Sequence, residues 1–206
     1  MTKRLLATTV PLTIALCTVV AVLAGVLRLK QLSGAWSGYK ALSQADIWFV
    51  AHRFLLIPHI AGALLFVALY PVQRFLVRRG CYKAHARVGL ALSVALAISV
   101  LTAIPLGVLF PYGQKMTQAV TVTVLLLILY CLYVSITSIR KGLKSLHAAW
   151  IMRAYCLLLM TSVLRVQVVL LSVYQVPRSL IEKSVILSTT ILTVAIWLIV
   201  GEDRMR

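Results

Sequence analysis

The histidines and arginines embedded in apolar sequence are the residues of this chain that could do chemistry. His147-Ala-Ala-Trp150-Ile-Met-Arg153-Ala-Tyr155 leads into an apolar stretch that runs to Leu164-Arg165. At 3.6 residues per turn and 1.5 Å per residue, His147 and Arg165 lie on one helical stripe, about five turns and about 27 Å apart. That distance is nearly the thickness of a bilayer core. Such a helix has a polar edge, with an imidazole near one membrane face and a guanidinium near the other, and the edge should face the inside of a bundle. His52 and His59 share a face of a second helix, about 20° apart around it and about 10 Å along it. His59, directly after Pro58, falls near the midplane. There a polar ring needs a hydrogen-bond partner on another helix, a metal or a quinone, whereas His52 reads as interfacial.

His85 and His147 both sit at the inner start of their helices. Histidines in such places are often interfacial caps. Matched depth on two helices is also what a bis-imidazole haem requires, because the iron takes one axial ligand from each side of its ring. His85 and His147 are therefore the candidate metal ligands. Arg53 and Arg165 fall at similar outer depth and could together bind one anion, such as a haem propionate, a lipid phosphate or a substrate carboxylate. The competing reading is that they snorkel to the outer headgroups. Arg153 is rotated by about 120° from His147 and should reach back to the inner interface.

The elements that must position these groups are membrane helices. Of 206 residues, 62% are hydrophobic and 12% charged, and the mean hydropathy is +1.00, well outside the range of soluble domains. Six apolar stretches read as spans, over residues 8–26, 47–70, 88–110, 117–139, 148–173 and 180–200. Each is close to the roughly 20 residues needed to cross a bilayer. The expected fold is thus all-α, a single six-helix integral membrane bundle over residues 1–206. The first stretch is too long for a signal-peptide core and has no clear cleavage motif, so it reads as an uncleaved anchor.

Basic residues set the orientation. One side collects Lys3, Arg4, Arg74, Arg78, Arg79, Lys83, Arg87, Arg140, Lys141, Lys144, Arg204 and Arg206. The other holds only Arg28, Lys30, Lys40, Lys115, Arg178 and Lys183. Both termini, and the loops 71–87 and 140–146, are therefore expected in the cytoplasm, with the chain in the inner membrane. The net charge of +17 fits this topology signal and an affinity for anionic lipid headgroups. Nucleic-acid binding is disfavoured, because the basic residues are scattered over short loops. The acids, Asp46, Glu182, Glu202 and Asp203, are all expected outside the spans, which argues against a cation-coupled carrier. Cys17, Cys131 and Cys156 fall in spans and Cys81 in an inner loop, so none is placed for oxidative pairing. The chain reads as free of internal repeats. Trp48, Trp150, Tyr70, Tyr112 and Tyr174 read as an interfacial belt.

Gln73, His85-x-x-x-Gly89 and His147-x-x-Trp150-x-x-Arg153-x-Tyr155 with Leu164-Arg165 together resemble an uncharacterised family of predicted bacterial membrane proteins, the domain of unknown function numbered 2306. The resemblance covers about residues 59–166 and departs from the family pattern at Ile151, where the family has Met. It implies a multi-pass membrane protein and no named activity. In architecture the chain is also similar to haem b membrane cytochromes, although His52 and His59 share one helix, so at most one bis-histidine haem fits. The leading expectation is a membrane protein binding one haem b through His85 and His147, with His59, Arg53 and Arg165 as further cofactor contacts. It would pass electrons to a membrane redox partner rather than convert a bound substrate. The alternative is a non-enzymatic protein that binds a lipid or small anion, or an accessory subunit of a larger membrane complex.

Overall fold

A computed structural model describes residues 2–36, 44–109 and 115–202, with side chains left undescribed over residues 2–13 and at some further positions that include residue 165. The described residues are helical apart from short turns. The order is α1 (Thr2–Trp36), α2 (Gln44–Ala51), α3 (Arg53–Arg78), α4 (Tyr82–Leu109), α5 (Lys115–Arg140), α6 (Lys144–Val173) and α7 (Arg178–Glu202). Five of them, α3 to α7, are long and apolar enough to cross a membrane. The expected first span, residues 8–26, lies within α1, partly beyond the described side chains. Large apolar residues such as Leu90, Leu101, Leu126, Leu187 and Leu198 are exposed, the pattern of a surface that meets acyl chains rather than water.

Several expected boundaries are corrected. The second stretch is broken at His52, so that α2 ends at Ala51 and the spanning helix starts at Arg53. That helix then runs through Pro71 to Arg78, which reduces the expected loop 71–87 to Arg79–Cys81. Likewise, the loop 140–146 is only Lys141–Leu143. Each turn closes where a glycine adopts a positive φ, 72° at Gly80 and 76° at Gly142. This is a conformation that a Cβ disfavours. Cys81 N–H then bonds Leu76 C=O, and Leu143 N–H bonds Ser138 C=O, both at 2.9 Å, closing the helix ends as Schellman turns. Glu182, counted among the acids outside the spans although it falls within the stretch 180–200, lies inside α7 and accepts a 3.3 Å hydrogen bond from Arg178.

The two turns match locally. α3–α4 and α5–α6 are two helical hairpins with both turns at the same end. Arg78, Gly80, His85 and Ala86 of the first have counterparts 62 positions later in Arg140, Gly142, His147 and Ala148. The match is confined to the turn and the histidine that follows it. α3 packs on α4, α5 on α6 and α4 on α5; α1 lies against α3 and α6, and α7 against α6 and α5. Leu96, Ile128, Cys131, Tyr155 and Leu157 fill the centre. Tyr70, expected at the interface, is instead buried, stacked on Tyr155 with ring centres 4.0 Å apart. The Tyr155 hydroxyl pairs with that of Thr18 at 2.5 Å and so ties α1 to α6.

Candidate functional site

The two matching turns bring His85 and His147 together. Each lies in the first turns of the second helix of its hairpin, and the ring centres are 6.5 Å apart with planes crossing at 82°. Each ring is held by the equivalent residue of the preceding helix, Gln73 for His85 and Ser135 for His147, again 62 positions apart. Ser135 is fully buried. Its carbonyl accepts from His147 Nδ1–H at 3.0 Å, its hydroxyl lies 2.8 Å from the same nitrogen, and that hydroxyl donates to the His147 carbonyl at 3.1 Å. Gln73, also buried, directs its NH₂ to His85 Nδ1 at 2.5 Å and to the His85 carbonyl at 3.1 Å. Its amide oxygen accepts from Gly89 N–H at 3.1 Å. Gln73, His85 and Gly89 are therefore one hydrogen-bonded unit.

These contacts point to one tautomer at each ring. A carbonyl only accepts, so His147 carries its proton on Nδ1 and has a lone pair on Nε2. An amide NH₂ only donates, so neutral His85 accepts at Nδ1 and carries its proton on Nε2. Neither Nε2 has a hydrogen-bond partner among the described residues. Two rings in equivalent positions thus offer opposite groups, a donor on His85 and an acceptor on His147.

His59 lies apart from this pair. The polar partner expected for it is Ser99 of α4: His59 Nδ1–H donates to the Ser99 carbonyl at 3.1 Å, and the Ser99 hydroxyl donates to the His59 carbonyl at 2.6 Å. This is the same histidine–serine clasp as at His147. Beside it, Ala21, Ala24, Gly25, Thr161 and Ser162 help line a crevice of about 50 Å³. That volume suits one or two small molecules of water size, not a macrocycle. His52 caps the α2–α3 break, bonded through Nδ1 to the Trp48 carbonyl at 2.8 Å and stacked on the Trp48 ring.

The expected Arg53–Arg165 anion site is not assembled from the Arg53 side. Arg53 is exposed, with its guanidinium 5.4 Å from the ring centre of the neighbouring Phe54. The Arg165 side chain lies outside the described residues. Arg153, expected to reach back to the inner interface, is buried among side chains, with its guanidinium 4.5 Å from the centre of Trp150 and 5.3 Å from that of Trp197. Among the described residues, no group of three or more His, Cys, Asp or Glu side chains is clustered to hold a metal ion. Sequence reasoning missed Ser99, Ser135 and Trp197. A serine in an apolar helix carries no signal of its own, and the 62-residue offset from Gln73 was the one clue to Ser135. No family model, curated protein or solved structure matches this chain. The arrangement itself must carry the functional argument.

Proposed function

We propose that the chain is a six-span inner-membrane protein with both termini in the cytoplasm, in which His85 and His147 hold one haem b. The observation that carries this reading is the 6.5 Å separation of two imidazoles in matching positions of two hairpins, each with its Nε2 unengaged among the described residues. Two imidazoles on one iron stand about 6.4 Å apart, from two metal–nitrogen bonds of about 2.1 Å and two ring radii of about 1.1 Å. The Ser135 carbonyl suits this role, since a ligating histidine characteristically donates its other ring N–H to such an acceptor. Gln73 as it stands does not suit it: its NH₂ occupies His85 Nδ1, and turning the amide would set its oxygen against the His85 carbonyl and its NH₂ against Gly89 N–H, so a haem at His85 would require the Gln73 side chain to move away. Arg78, Arg79, Arg140 and Lys141 flank the same end and supply cations for propionates. A bound haem would supply one-electron chemistry, passed to a redox partner in the membrane.

Protein purified from haem-replete cells should show low-spin Soret and α bands. His85→Ala or His147→Ala should abolish them, and His52→Ala should leave them unchanged. Colourless protein overturns the reading. A second reading rests on the opposite protonation of the two rings. A ligand with a hydroxyl could accept from His85 Nε2–H and donate to His147 Nε2, with no change at Gln73. That arrangement belongs to a non-redox membrane protein.

A further inference from the structure

We propose that Arg153, between Trp150 and Trp197, binds the phosphate of an anionic phospholipid from the cytoplasmic leaflet. The proposal rests on the orientation given above but not on haem. Arg153 is only 8% exposed, and its Nε is buried with no hydrogen-bond partner. No hydrogen bond or ion pair meets its guanidinium among the described residues. The two indoles, edge to face at 5.6 Å, hold the cation, but an indole accepts no in-plane hydrogen bond and cancels no charge. The hairpin itself does not require this group, because the equivalent positions in α4 are Val88 and Ala91.

Depth and surroundings point to a lipid. Arginine side chains on a helix lean toward its N-terminus, here the basic end, so the guanidinium lies level with Trp150. That is within one or two turns of Lys144 and within reach of headgroup phosphates. Tyr130 packs edge-on against Trp150, and beside the cage Tyr130, Tyr133, Val194 and Leu198 are exposed and apolar. A ligand arriving there must place acyl chain on these residues while its anion meets Arg153. A free inorganic anion has no use for such walls. Basic sites between helices on the cytoplasmic side bind acidic headgroups in this way.

The test is native mass spectrometry of the full chain in detergent, titrated separately with phosphatidylglycerol, phosphatidylcholine and inorganic phosphate. Wild type should retain phosphatidylglycerol in preference to phosphatidylcholine. Arg153→Gln should weaken it roughly 10-fold or more, and Arg153→Lys should weaken it less. If wild type shows no preference, or if Arg153→Gln binds as well as wild type, the proposal is wrong. Competition by inorganic phosphate at equal concentration would also overturn it, by making the site one for a free anion. Should Arg153→Gln fail to fold, Glu202→Gln with Asp203→Asn decides. Unchanged lipid preference supports the proposal, and a marked gain assigns those acids as the resident partners of Arg153 and removes it.

Discussion

Gly62→Ala should weaken the α3–α4 hairpin by about 2–3 kcal/mol, while Gly89→Ala in the same hairpin should not. A Cβ on Gly62 would lie 2.9 Å from Ser99 Cβ, 3.3 Å from the Ala95 carbonyl carbon and closer still to the Ala95 carbonyl oxygen. All three obstacles belong to the α4 backbone or to an atom bonded to it, so no rotamer can relieve them. The helices must separate, which as overpacking costs about 1–3 kcal/mol. Separation also stretches the His59–Ser99 clasp, whose hydrogen bonds are worth roughly 0.6 kcal/mol each in a bilayer protein. At Gly89 the nearest atom to an added Cβ is the Gln73 amide at 3.5 Å, and at Gly107 it is a Thr121 methyl at 3.5 Å. Both are ordinary contacts. Alanine at either site should be neutral, or stabilising by up to about 1 kcal/mol through its helix propensity. Equilibrium unfolding of the three variants in mixed micelles of increasing SDS content measures the differences. Gly62→Ala as stable as wild type would refute the close approach of α3 to α4, and with it the clasp.

The other predictions concern topology and protonation. Cys81 is exposed in the Arg79–Cys81 turn, whereas Cys17, Cys131 and Cys156 are at least partly buried in helices. A membrane-impermeant maleimide should therefore label inside-out vesicles and not right-side-out cells, and the reverse pattern would overturn the proposed orientation. In histidine side-chain ¹⁵N spectra near pH 8, above the usual imidazole range of about 6.5, His85 should appear protonated at Nε2 and His147 at Nδ1. Gln73→Glu, whose carboxylate only accepts, should move the His85 proton to Nδ1, and matching forms for both rings in wild type would refute the assigned contacts.

Much of the fold was legible in the sequence because membrane helices announce themselves by continuous hydrophobicity, and α3 to α7 fall where five of the six stretches were read. The boundaries were not. Polar residues such as Gln73, Arg74 and Arg78 were taken for loop, although α3 carries them as a helical end beyond the apolar core. Pro71 was counted as the first residue of that loop, although a helix supported by neighbours accommodates it. Depth was legible in the same way, which is why His85 and His147 could be paired from their positions alone. Rotation was harder to read. A stripe argument gives a side chain's direction on its own helix only, and Arg53 faces outward from the first turn of a helix whose start had been placed at Ile47. The burial of Arg153 was illegible for a related reason, since Trp197, which covers it, lies on another helix.

The matching turns sharpen what the histidine pair means. Each hairpin sets an imidazole at the same place after its turn, so the two rings could be expected to make identical hydrogen bonds. Gln73 and Ser135 break that equivalence at the one position that touches each Nδ1. Elsewhere in the chain the clasp used for His147 is also used for His59, so the serine arrangement is a general way of holding a histidine between these helices. Gln73 is the departure. Its amide bridges the His85 carbonyl and the Gly89 N–H, both already provided for by the helix ladder, so packing alone does not call for it. A residue that adds little to its helix but sets the proton of the ring beside it is a control on that ring. On the proposed reading, a ligand held between His85 and His147 would therefore be governed from Gln73.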